Sequence, residues 1–215
     1  MGILTATTLE YVDRREEAGD VTAFSFLPTR PLRHVAGQHG LLAVPGAGAK
    51  PFSLASAPED AEVVIGTRLG SGSRFKRALA ALAPGDAVRL RGPVQRFTLD
   101  GAGDDVVLVA QGVGVTPFRS LLRHIAAAGL PTRARLLHVG DGHPFRAETE
   151  ELAHEAGYPR DAETFRLELK RAAADRPAAT WFVSGAPAFV RETAAALADA
   201  GVPRRQIRKD TFRGY

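Results

Sequence analysis

The 215-residue chain has room for one large domain or two of about a hundred residues each, and its 45% hydrophobic and 24% charged residues suit packed cores in water. No apolar run approaches the roughly 18 residues of a membrane span, and Met1 to Val12 lacks the basic-then-apolar order of a secretion signal. The absence of cysteine excludes disulfides, thiolate-held clusters and thiol catalysis and fits a cytoplasmic protein, while the 28 basic and 24 acidic residues are scattered rather than striped, against nucleic-acid binding and for attraction to an acidic partner or phosphate-bearing ligands.

Up to about residue 100 the chain alternates with period two. Thr22, Phe24 and Phe26, then Val63, Ile65 and Thr67, then Val88 and Leu90 each share one face, as in antiparallel strands buried on one side. Pro45-Gly46, Pro58-Glu59-Asp60 and Pro84-Gly85-Asp86 supply turns between them. Strands at this spacing predict a small barrel or sandwich. One helix, over 74–83, interrupts them with Phe75, Leu79 and Leu82 on one face.

After Asp100-Gly101-Ala102-Gly103-Asp104 the pattern changes. Val106 to Ala110 is apolar throughout, as in a parallel strand covered on both faces. Helices are expected over 117–128, 146–156 and 187–200, and strands over 135–139, 165–169 and 180–183. Strand–helix alternation predicts a doubly wound α/β domain, so the chain divides into 1–101 and 102–215.

Three segments carry chemistry. Gln111-Gly112-Val113-Gly114-Val115-Thr116-Pro117 runs from the apolar strand into a helix, with Thr116 suited to cap it and Pro117 to open it. The turn reads either as a pyrophosphate seat at the helix start or as a structural tight turn, because the third glycine of the dinucleotide fingerprint is missing. Gly70-Ser71-Gly72-Ser73 precedes a helix start crowded with Arg74, Lys76 and Arg77. A bound anion would reconcile those cations with the helix dipole; a flexible loop before a basic surface helix is the plainer account. Lys50-Pro51-Phe52-Ser53-Leu54 sets a cation, an aromatic ring and a hydroxyl on one extended stretch, where alternation puts Phe52 and Ser53 on opposite faces. Alone, it is also an ordinary strand with Phe52 in the core.

In order and spacing these segments resemble the ferredoxin–NADP reductase superfamily over nearly the whole chain. Ala36-Gly37-Gln38-His39 is similar to its approach to the flavin strand, Lys50-Pro51-Phe52-Ser53 to its Arg-x-Tyr-Ser motif, and Gly70 to Ser73 to its flavin pyrophosphate loop. Arg91-Gly92-Pro93 with Phe97 resembles the end of the flavin barrel, and Gly112 to Pro117 the nicotinamide-dinucleotide loop. Ser184-Gly185-Ala186-Pro187 resembles the Cys-Gly-Pro-Pro segment, and Asp210-Thr211-Phe212 the C-terminal acid-x-aromatic.

The resemblance implies a six-stranded Greek-key barrel that binds FAD, followed by a doubly wound parallel-sheet domain for NAD(P)H. It implies hydride transfer from NADH or NADPH to the flavin, then electron delivery to a separate acceptor such as an acidic ferredoxin, a flavodoxin or an oxygenase component. The alternatives are a free-flavin reductase that takes flavin as substrate and a non-catalytic nucleotide-binding module. The scattered charge and the lack of a long apolar run speak against a nucleic-acid or membrane partner. Ser53, Asp210 and Phe212 would be catalytic. Lys50, Phe52, Ser53, Leu54, Gly72 and Ser73 would hold the flavin, Tyr215 would reach its adenine part, and Gly112, Gly114, Thr116, Ser184 and Phe212 would seat the dinucleotide.

Lysine at 50 and phenylalanine at 52 replace a forked donor and a phenol hydroxyl, which loosens the flavin and leaves FMN or a dissociable flavin as alternatives to bound FAD. Ser184 replaces a thiol. Asp141, after the second parallel strand, favours NADH by repelling a 2′-phosphate, although Arg133 and Arg146 stand close in sequence. His39 and His138 read as satisfied structural residues; no histidine has metal-ligand spacing.

Overall fold

The structure, a computed structural model, describes residues 6–94, 97–140 and 142–212. The first sheet contains β1 (Ala6–Glu16), β2 (Val21–Pro28), β3 (His39–Val44), β4 (Gly48–Ser53), β5 (Val63–Arg68) and β6 (Ala87–Val94), with helix α1 (Arg74–Ala80) between the last two. Its order is β4-β3-β6-β1-β2-β5, antiparallel throughout. The predicted alternation is visible in β6, where Val88 and Leu90 are buried between exposed Arg89 and Arg91. The sheet curls toward closure at the end of β4, where the Ala55 amide donates to Val64 O at 2.7 Å and Ser56 Oγ accepts from the Val64 amide at 3.1 Å. Inside it, Leu9, Phe24, Phe26, Leu42, Ile65 and Leu90 form one apolar core with Phe75 and Leu79 of α1.

The second sheet follows from β7 (Asp105–Gln111), through α2 (Thr116–Ala127), β8 (Arg133–Val139), α3 (Arg146–Leu152), β9 (Glu155–Gly157), α4 (Ala162–Asp175), β10 (Thr180–Gly185) and α5 (Pro187–Asp199) to β11 (Ile207–Thr211). The strands are parallel in the order β11-β10-β7-β8-β9. Helices cover both faces, Phe118 and Leu122 on one and Phe165, Leu169 and Val190 on the other, so β7 is apolar from Val106 to Ala110. No described helix is long and apolar enough to cross a membrane.

Two expectations fail here. The segment 165–169 is not a strand but the middle of α4. Its apolar–polar alternation misleads, because Phe165, Leu169, Ala172 and Ala173 are buried at helical spacing while Leu167 is 64% exposed. The helix expected over 146–156 stops at Leu152, and Glu155 to Gly157 instead form the short edge strand β9 beside β8.

Candidate active site

The strand order reverses around β7: the chain passes from β7 to β8 on one flank and later returns as β10 on the other. In open α/β sheets the crevice beyond the carboxyl ends at such a point receives ligands. Here it is a cleft of about 390 Å³ lined by Gly112, Gly114, Gly140, Gly185, Pro187 and Phe212 among others. After β7 the chain makes a 3-10 turn, Gly112–Val115, that runs straight into α2. Gly112 has φ +52, and a Cβ on it would lie 2.9 Å from Arg68 Nη2. Gly114 is needed for close approach, since its Cβ would lie 2.5 Å from Ser184 O. Thr116 does not cap α2: Val115 occupies the cap position, and Thr116 Oγ1 donates to Val113 O at 3.0 Å, tightening the turn.

Two further groups face this end of the sheet. Ser184 is fully buried, and its Oγ has no hydrogen-bond partner among the described residues. Asp210, 8% exposed, stands opposite Ser184 in the β10–β11 register. The Phe212 amide donates to Gly185 O at 2.9 Å, which carries its ring to the cleft wall.

On the barrel side, Phe52 and Phe75 stack with centroids 5.7 Å apart and rings 25° from parallel, joining β4 to α1. Phe52 and Leu54 belong to the barrel core, and the Leu54 amide donates to Gln38 O at 3.0 Å. Ser53 is buried too, so the expected alternation of faces across Phe52 and Ser53 ends where β4 tucks inward. Ser73 caps α1, its Oγ accepting from the Lys76 amide at 3.3 Å. The crowded cations divide their work: Lys76 Nζ donates to Arg68 O and Arg77 Nη1 to Gly72 O, while Arg74 stays exposed. Backbone carbonyls thus account for two of the three cations. Burial, with the nearby Arg68 charge, pushes the Lys76 ammonium below its usual range.

A polar seam fastens α2 to the segment that follows β4. Arg119 Nη1 donates to Ala55 O at 2.8 Å and Ser120 Oγ to Ser56 O at 2.7 Å. Arg119 and Arg123 share Glu148, with Arg119 Nε 2.6 Å from Glu148 Oε2, and Arg123 Nε also reaches Asp60 Oδ2 at 2.7 Å. Burial pushes the Asp60 carboxyl up, but hydrogen bonds from Arg123 and the Ala57 amide outweigh it and hold the group below the usual carboxylate range. The first-turn Arg119, unfavourable toward the dipole of α2, is thereby explained by Glu148 and Ala55.

No protein-family model matches the chain. The reductase subunit of an aromatic O-demethylase from Amycolatopsis is 29% identical over 97% of this chain and 69% of its own length. A probable dihydroorotate dehydrogenase B electron transfer subunit from Methanopyrus kandleri is 32% identical over 55% of this chain and 44% of its own length. A solved ferredoxin reductase of carbazole 1,9a-dioxygenase superposes with a TM-score of 0.82 at 18% identity, covering 97% of this chain and 70% of that one. The fold is ferredoxin reductase-like. The chain spans less than half the length of several curated relatives that it matches.

Within this ferredoxin reductase-like fold, the structure gathers Gly112, Gly114 and Phe212 at one cleft, with Thr116 and Ser184 packed behind it. Lys50, Phe52, Ser53, Gly72 and Ser73 lie on β4 and the loop before α1, which the Phe52–Phe75 stack brings together. Arg133 begins β8 at the opposite end of the sheet and lines a different cavity, so it does not serve the cleft. Arg146 lies over the Tyr158 ring at 4.3 Å and pairs with Glu150 at 3.2 Å. Asp141 and Tyr215 fall outside the described residues. Sequence reasoning missed Arg68, the one charged residue among the described residues that line the cleft. Its position at the end of a strand, just before a glycine-rich loop, was the available signal.

Proposed function

We propose that the chain is the reductase module of a flavoprotein electron-transfer system, taking hydride from NAD(P)H onto FAD and passing electrons to a separate acceptor. The oxygenase-type relatives favour an oxygenase component or its acidic ferredoxin or flavodoxin carrier as that acceptor. The observation that carries this reading is the glycine-lined cleft at the strand-order switch, reached by a guanidinium from the barrel. The boundary between flavin and dinucleotide domains is set at 101/102, and the protein is read as cytoplasmic.

The residues present fit both groups. Gly70 and Gly72 lie in open space, with nothing within 4 Å of a Cβ on either, and exposed Lys50 and Arg74 flank the Phe52–Phe75 stack; together they would hold flavin phosphates with Ser73. Phe52 and Leu54 support β4 from inside the barrel, and Ser53 would direct its hydroxyl to the flavin ring. FAD, when bound, supplies a two-electron hydride acceptor that can release electrons singly. Gly112 and Gly114 would admit the dinucleotide backbone, and Arg68 would hold its phosphates with a planar fork. Ser184 Oγ and Asp210 would bind the nicotinamide end, and Phe212 would yield its place on the cleft wall as the ring enters. The preference for NADH rests on Asp141.

The test is the absorption spectrum of the purified protein under anaerobic NADH. A bound yellow flavin that bleaches supports the reading, and Ser53→Ala should slow the bleaching about a hundredfold, as loss of one positioned polar contact does. A colourless protein that still reduces added flavin would make flavin a substrate. A protein that neither binds nor reduces flavin would overturn the proposal.

A further inference from the structure

His138 belongs to none of the motifs above, and it is fully buried near the carboxyl end of β8. The side chains on its face of the strand, Ala134 and Leu136, are apolar members of the α/β core. A leucine or phenylalanine would fill such a place without burying a polar ring. Among the described residues the imidazole makes one hydrogen bond: Nε2 lies 2.9 Å from Gly112 O, in the turn at the bottom of the cleft. A carbonyl only accepts, so Nε2 carries the proton and Nδ1 is bare. Nδ1 has no partner among the described residues. Burial, with the His143 ring 5.0 Å away, pushes the imidazole down to about 3 despite the Gly112 bond, so it stays a neutral donor at working pH.

Gly112 is held from both sides. Arg68 lies over it, and on the β8 side a Cβ on Gly140 would stand 3.4 Å from Gly112 N. In a trans peptide the carbonyl and the following N–H point opposite ways. Fixing Gly112 O toward His138 therefore turns the Val113 amide away from β8, and Val113 lines the cleft.

We infer that His138 is a positioning residue: through its bond to Gly112 O it holds the Gly112–Val113 peptide with the amide presented to the dinucleotide. The inference rests on the reductase reading. It predicts that dinucleotide affinity depends on a donor at 138, while transfer from bound dinucleotide does not.

The experiment uses the FAD-loaded protein. His138→Phe keeps a ring but removes the donor; His138→Gln places an amide nitrogen near the lost Nε2. His138→Phe should raise both the NADH KM and the Kd for NAD⁺ about tenfold, within the roughly 5- to 30-fold range of a single lost buried contact. Reduction at saturating NADH should change less than about twofold, and His138→Gln should recover most of the affinity. If His138→Phe does not fold, His138→Leu and the wild-type imidazole N–H resonance take its place: that proton should be slow to exchange and should shift when NAD⁺ saturates the protein. Unchanged affinity in a folded variant, failure of glutamine to recover it, or an N–H signal indifferent to NAD⁺ would each overturn the inference. Wild-type flavin that NADH cannot bleach would sink the reductase reading instead, a separate outcome.

Discussion

The two glycine-rich turns look alike as strings of letters, and the fold uses them in opposite ways. Gly112 to Val115 is buried, with Ser184 and Gly185 against Gly114 and Arg68 over Gly112. Gly70 to Ser73 is exposed, and around Gly70 and Gly72 a methyl group would meet nothing within 4 Å. The first turn needs glycine because other backbone and a guanidinium already press on it. The second leaves a vacant surface beside exposed cations. A glycine in a phosphate-like loop can answer to the protein's own packing, to a ligand, or to both, and only the neighbours tell which.

Substitution by alanine separates the cases. Gly114→Ala should do the most harm, because the contacting atoms are Ser184 O, Ser184 C and Gly185 Cα, backbone that cannot swing aside. We expect a loss of about 3 kcal/mol, at the upper end of ordinary overpacking, and a fall in Tm of about 10 °C in calorimetry. An unaltered Tm would mean that β10 yields freely there. Gly112→Ala should cost less, about 1–2 kcal/mol for a side chain at positive φ, because the atom it meets is the far end of flexible Arg68. Its larger effect should be on dinucleotide affinity, as the guanidinium is displaced; urea titration and NAD⁺ titration read the two separately. A stability loss equal to that of Gly114→Ala would show that Arg68 is wedged in place. Gly70→Ala should change stability by about 0.5 kcal/mol or less, as at other open surface positions. If flavin phosphate binds beside Gly70, the same methyl should nonetheless speed flavin release on dilution. Retention equal to wild type would remove Gly70 from the site.

Much of the architecture was legible in the residues. Period-two burial, the apolar run Val106 to Ala110 and the turn before α2 each predict what is found. Failures came where a local pattern fits two structures. Phe165 to Leu169 alternates like a strand, and only the exposure of Leu167 distinguishes the helix. Thr116 looked like a cap because a hydroxyl before proline usually is one, but the 3-10 turn shifts the start of α2 by a residue. The seam was invisible for a different reason. Arg119 and Ala55 stand 64 positions apart, as do Ser120 and Ser56, and a carbonyl acceptor leaves no mark on residue identity. Arg68 escapes notice likewise, and His138 reads only as a satisfied structural residue although its Nδ1 has no partner among the described residues, since each meets Gly112 from another element.

The seam has one more consequence. Ala55 follows Ser53 by two residues, and Arg119 follows the Gly112–Val115 turn by one turn of α2. The bonds from Arg119 and Ser120 to Ala55 and Ser56 therefore couple the two proposed binding surfaces like the jaws of a fixed gauge. Their spacing is set when the chain folds. Little slack remains for a closing stroke, so turnover should show little drag from a viscous solvent.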